Sequence, residues 1–181
     1  ENQCITGLKK SRIQMLLQND LSLSAYHLPL DAHKELGNNA QLAKILELNV
    51  GSPLDAEQRN PIVFCGRLNQ PMSFDSFSQH INQKLKRMPL GIKGASKKIE
   101  KIAWCTGAAQ NFIELAVGVG VDAYLTGEVS EQTVHIAREA GLHFFSAGHH
   151  ATERYGVQAV GNYLSEKFSI QHEFIDIENP V

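Results

Sequence analysis

From residue 99 onward the chain alternates short apolar runs with amphipathic ones, and that rhythm restricts it to a sheet covered by helices. Residues 99–105 read as a strand, 110–117 as a helix and 121–126 as a strand. Residues 130–140 read as a helix closed by Gly141, 142–147 as a strand, 152–168 as a helix and 170–177 as a last strand. Strands joined through helices pair in parallel, so the expected class is α/β with largely parallel strands.

The first half is less regular. Leu8, Ile13, Leu16 and Leu17 recur at helical spacing until Asn19-Asp20 stops them, and 21–27 (LSLSAYH) alternates like a strand. Asn38 or Asn39 is placed to cap a helix carrying Leu42, Ile45, Leu46 and Leu48. Residues 49–72, rich in Gly, Pro and Asn around a short strand at 62–65, read as an excursion or linker. Ser73 caps a helix through Phe74, Phe77, Ile81 and Leu85 that ends before Pro89.

Length and composition narrow the class further. With 181 residues, 43% hydrophobic and 20% charged, the chain can bury a core as one domain or two small packed ones. A net charge of −2 marks neither a nucleic-acid binder nor a membrane-surface protein. No apolar run approaches the roughly 18 residues of a membrane span. Cys4, Cys65 and Cys105 form no CxxC pair, which fits a reducing cytoplasm rather than a disulfide framework. The chain opens on Glu1 and runs almost at once into a helical pattern, so it reads as a piece of something longer.

A weak internal repeat points to chemistry. Ser24-Ala25-Tyr26-His27-x-x-x-Asp31 echoes Ser146-Ala147-Gly148-His149-x-x-x-Glu153, each delivering an imidazole and a carboxylate four residues apart. Both are expected at the carboxyl end of a strand, where open α/β sheets bind ligands. On a helix starting near His149, His149 and Glu153 share a face one turn apart. Such a pair suits zinc, manganese, iron or nickel better than calcium. Alone it is commonly only a surface pair; the echo in His27-Leu28-Pro29-Leu30-Asp31-Ala32-His33, which offers three potential ligands in seven residues, favours a metal site walled by both segments. The ligating atoms of one such site would converge within about 4–6 Å of one point.

Other residues carry weaker signals. Glu128, in Thr126-Gly127-Glu128, either moves a proton in the same crevice or merely suits a helix start. The turn from Trp104 through Gly107 to Gln110 could offer amides to an anion, yet no dinucleotide, Walker or G-x-S-x-G signature is present. Cys105 reads as a buried strand residue rather than a nucleophile. Residues 84–101 hold seven of the seventeen basic residues; without interleaved aromatics they read as a solvated connection more than a nucleic-acid surface.

The segments YHLPLDAHKELGNNAQLA, AWCTGAAQNFIELA, GVDAYLTGEVSEQTVHIAREAGLHFFSAGHHATERYG and FIDIENP resemble the type-two GTP cyclohydrolase I homologue family, the NGG-interacting-factor-three-like proteins, over nearly the whole chain. The resemblance implies two intimately packed α/β lobes, here roughly 1–95 and 96–181 of one incomplete family domain. Two divalent metal ions would lie between them, in a homohexameric ring. It places metal ligands on Asp31, His149 and Glu153, with Glu153 bridging, and makes His27 and His150 neighbours, His27 bonding a ligand carboxylate. An early His-His pair that completes the family's ligand set is absent, expected just upstream of Glu1. The implied function is a metal-dependent hydrolase acting on a nucleotide or related heterocycle. The alternative is a non-catalytic metal-stabilised ring that binds protein partners or damaged nucleic acid.

Overall fold

A computed structural model describes residues 4–181. The elements run α1 (Gly7–Gln18), α2 (Leu28–Asp31), α3 (Asn38–Ile45), β1 (Leu48–Val50), β2 (Phe64–Met72), α4 (Phe74–Leu85), β3 (Leu90–Ile92) and β4 (Ile99–Trp104). A 3-10 turn (Gln110–Phe112) leads into α5 (Ile113–Gly118), then β5 (Ala123–Thr126), α6 (Glu131–Ala140), β6 (His143–Ser146) and α7 (His149–Phe168). Among the described residues no helix is long and apolar enough to cross a membrane.

All six strands join one sheet in the order β1-β2-β4-β5-β6-β3. The α/β class holds. Parallel pairing is confined to the run β4-β5-β6, whose crossovers pass through α5 and α6. The strands from the first half join antiparallel, β1 and β2 on one side and β3 beside β6 on the other.

Strand periodicity divides the core. Ile102, Trp104, Ala123, Leu125 and Phe145 face one way and pack against Leu42 of α3, Leu46 just past its end, and Phe77, Ile81 and Leu85 of α4. Their sequence neighbours Ala103, Cys105, Tyr124 and Phe144 face the other way, against Ile113 and Ala116 of α5 and Ala137 of α6. Ser73 caps as expected, accepting from Ser76 N–H, Gly141 closes α6 at φ 64° as expected, and Ser130 caps α6 by accepting from Thr133 N–H.

Four expectations are corrected. Residues 21–27 form no strand: Leu21 and Leu23 are exposed and, among the described residues, no neighbouring strand pairs with them. Residues 170–177 form no strand either, because that segment is tied to α7 by side chains instead of lying along a sheet edge. The expected linker 49–72 is instead the β1–β2 hairpin, and β2 runs through Pro71 by a register shift between Arg67 and Met72 that spares the missing N–H. Finally, Gly37 occupies the cap position of α3, and Asn38 and Asn39 turn their side chains inward.

His143 shows how β3 is anchored. Its imidazole is fully buried; Nδ1 accepts from Gly94 N–H at 2.8 Å, so Nε2 carries the proton and donates to the Ser96 carbonyl at 2.8 Å. Phe74 lies against the ring at 5.4 Å. His143→Ala therefore opens a cavity and strands two part-buried backbone groups, costing about 2–4 kcal/mol. Urea unfolding measures this, and a loss under about 1 kcal/mol would mean the 93–96 loop is held by other contacts.

Candidate metal centre

The carboxyl ends of the three parallel strands are stitched together through backbone. Gly127 N–H donates to Gly107 O at 2.9 Å, and Gly148 N–H donates to Gly127 O at 2.9 Å. Ala147 N–H adds a bond to Thr126 O at 2.8 Å. Gly148, at φ 97°, makes the sharp turn from β6 into α7 that a side chain would strain. The first residue after it is His149.

His149 sits between two carboxylates. Nδ1 lies 2.7 Å from Glu128 Oε1, and Nε2 lies 2.9 Å from Glu153 Oε2. The second contact is the i, i+4 pair read from sequence; the first depends on the β5 loop being stitched beside α7. Gly107, at φ +67°, is the floor: a Cβ there would run into Glu153 Oε1 and press on His149 Nε2. Burial opposes charge on His149, but the hydrogen bond and charge of Glu128 and the charge of Glu153 outweigh it, so its pKa is raised. Burial pushes the Glu153 carboxyl up, His149 pulls it down, and the charge of Asp31 pushes it up again.

Asp31 reaches this crevice from the other side. It ends α2 and is 8% exposed, with Oδ1 accepting from Asn38 Nδ2 at 2.7 Å. Asn38 Oδ1 in turn accepts from Gly156 N–H of α7 at 2.8 Å, so one amide ties the Asp31 loop to the helix bearing Glu153. Asn39 works in parallel: Nδ2 donates to the Asp31 carbonyl at 3.2 Å and Oδ1 accepts from Thr106 N–H at 3.0 Å. Sequence reading missed both asparagines as site builders, since their cap-like position offered a local explanation.

The structure thus brings His149, Glu153 and Glu128 into contact. Asp31 acts on Glu153 through its charge without bonding it. Among the described residues no three His, Cys, Asp or Glu side chains close into a ready metal site. The donor chemistry nonetheless fits a divalent cation. Two half-buried carboxylates face each other across an imidazole, and the Thr106 hydroxyl, 4% exposed, lies beside Glu153 and favours its charged form.

Several readings around the crevice change. His27 is exposed and makes no side-chain hydrogen bond among the described residues; its carbonyl accepts from Leu30 and Asp31 N–H, and Asn38 supplies the bond expected of its ring. His33 Nδ1 caps the amides of Glu35 and Leu36. His150 bonds Asp176 at 2.9 Å. The turn at 106–107 has no amides for an anion, because Thr106 N–H is taken by Asn39 and Gly107 N–H by Thr152 Oγ1 at 3.0 Å. Burial, then the charge of Asp31, drives the Cys105 thiol far above its usual pKa, which agrees with a packing role. The basic stretch is spread over α4, β3, β4 and their loops, with Lys84 paired to Glu47 and Arg87 to the Pro180 carbonyl.

Comparison with known proteins gives a consistent family. The family model described as Duf34/NIF3 (NGG1p interacting factor 3) matches residues 1–180. A Pseudomonas aeruginosa protein named GTP cyclohydrolase 1 type 2 homolog is 56% identical over 180 residues, covering 99% of this chain and 71% of that protein. An Escherichia coli protein of the same name is 47% identical, covering 99% and 71%. Among solved structures, protein ybgI, described as of unknown function, superposes with a TM-score of 0.94 at 47% identity, over 100% of this chain and 72% of its own. Reduced HcgD from Methanocaldococcus jannaschii gives a TM-score of 0.79 at 25% identity, over 94% and 67%.

Proposed function

The chain belongs to the Duf34/NIF3 family, and from that premise we propose that the crevice at the ends of β4, β5 and β6 is a divalent-metal centre serving hydrolysis of a nucleotide or related heterocycle. The observation that carries this reading is His149 clasped between Glu128 and Glu153, with Asp31 close enough to act on Glu153. His149 Nε2, Glu153 and Asp31 would hold the metal. Bound in pairs, divalent ions supply Lewis acidity and lower the pKa of water.

The chain's own residues divide the remaining work. Asn38 and Asn39 hold Asp31 against α7, so its carboxylate does not swing into solvent. The buried Thr106 hydroxyl beside Glu153 favours the charged carboxylate that would face a metal. Names of the relatives suggest a purine nucleotide as the first substrate class to try. A homohexameric ring and a cytoplasmic setting belong to the same reading. Elemental analysis of the purified protein, paired with a turnover screen of nucleotides, tests it; protein with no bound metal after loading would end the metal assignment.

Glu128 takes a more specific role than proton transfer. Its carboxylate accepts from Nδ1–H, so that Nε2, which faces Glu153, would be the nitrogen left to a cation that displaces its proton, the arrangement in which an outer carboxylate fixes a ligand imidazole. Glu128→Gln should weaken metal affinity about 10–100-fold. Half-buried and outside the core, it should change stability by less than about 1 kcal/mol. Competitive chelator titration reads the first and urea unfolding the second; undiminished affinity would return Glu128 to a simple surface role.

A further inference from the structure

The segment after α7 turns back at Ser169, φ 54°, and runs along the helix toward its start. His172 Nδ1 meets Asn162 Oδ1 at 3.1 Å. Asp176 is gripped twice, by His150 Nε2 at 2.9 Å and by Arg154 Nη1 at 3.0 Å. Beyond it, Pro180 O accepts from Arg87 Nη1 at 2.6 Å and Val181 O from His150 N–H at 3.1 Å.

Helix geometry makes this arrangement functional. Residues 149 and 153 form one i, i+4 row of α7, and 150 and 154 form the next, turned about 100°. One row carries His149 and Glu153; the adjacent row holds the returning segment. The segment is therefore registered to the candidate metal ligands by a single turn of rigid helix. Between them lies a cleft of about 530 Å³, with His149 and Glu153 at one end and Val157, Phe174 and Ile175 along the wall. That volume lies in the range of small-molecule sites.

The basic side chains around the cleft are already bonded. His150 and Arg154 both bond Asp176, Arg154 Nη2 also donates to Leu85 O at 3.1 Å, and Arg87 donates to the Pro180 carbonyl. What remains to recognise a ligand is an aromatic and aliphatic face beside a metal-binding end. A planar, largely uncharged group suits such a wall, since stacking on an aromatic face needs no charge.

We propose that this cleft seats the base of a nucleoside-like ligand, with Phe174 as its stacking face and Asp176 as the residue that positions the wall. This rests on the reading of His149 and Glu153 as the reacting end of the site. Phe174 would touch the ligand; Asp176 acts only through the segment it pins.

The test uses metal-loaded protein and four uncharged probes, adenosine, guanosine, cytidine and uridine, with binding followed by calorimetry. At least one should bind. Phe174→Ala should weaken that probe at least about tenfold, Phe174→Leu nearly as much, and Phe174→Trp by less than about threefold. Asp176→Ala should weaken it about fivefold or more, and Asp176→Glu should recover most of the loss. The leucine variant keeps apolar bulk, so it separates loss of the aromatic plane from loosening of the segment. Failure of all four probes to bind wild-type protein, or equal affinity in Phe174→Leu, overturns the proposal. Metal content and turnover on the same preparations separate the two readings. Metal-free protein that still binds a nucleoside through Phe174 strikes only the metal assignment. Active, metal-loaded protein indifferent to Phe174 strikes only the stacking wall.

Discussion

Glu153→Gln should lose divalent metal by at least a hundredfold in affinity and leave the metal-free protein as stable as before, or slightly more so. The loss follows from removing a direct ligand, since outer partners alone are worth about 10–100-fold. The unchanged stability follows from the site's electrostatics. Glu153 is a partly buried carboxylate whose charge is disfavoured by burial and by Asp31 and relieved mainly by His149. Neutralising it removes both penalties, and Glu128 still holds the imidazole. A functional group that costs stability where it stands is the expected signature of a binding site. Elemental analysis and thermal unfolding of the apo protein provide the two readings. Unaltered metal content, or destabilisation beyond about 1 kcal/mol, would show that Glu153 serves the fold instead.

Asn39→Ala should be among the most damaging single substitutions in the described chain, costing about 2–5 kcal/mol. Asn39 is fully buried, and its amide serves two backbone groups from distant segments, the Asp31 carbonyl and Thr106 N–H. Each buried backbone group left alone costs about 1–3 kcal/mol. The damage should also reach the site, because the same amide holds the Asp31 loop against the end of β4. Urea unfolding gives the stability and chelator competition the metal affinity, both of which should fall. Asn39→Asp is a sharper comparison: it keeps the acceptor for Thr106 N–H but loses the donor to Asp31 and adds a charge beside it. A stability loss below about 1 kcal/mol in Asn39→Ala would mean water replaces the amide and the link is dispensable.

How much of this was legible in the chain depends on the range of the interaction. The cap at Ser73 and the stop at Gly141 were readable, because each is decided within a few residues. The pairing of His149 with Glu153 was readable for the same reason, being one helical turn. The false strands at 21–27 and 170–177 show the limit of that logic. Alternation describes a segment fit for a sheet but supplies no partner, and a strand without a ladder leaves its backbone bonds unmade.

Local order, then, was written in the residues themselves: α/β class, the run β4-β5-β6, and an imidazole and a carboxylate at its carboxyl end. Tertiary structure decided everything that required two distant segments to meet. It set Glu128 on the far nitrogen of His149, turned two apparent cap residues into the braces of Asp31, and left the Thr106 hydroxyl facing Glu153. It also laid 170–181 along α7 through Asp176 instead of adding it to the sheet. The physical reason is the same in each case. A polar side chain takes whichever partner packing brings within about 3 Å, and packing is a property of the whole core.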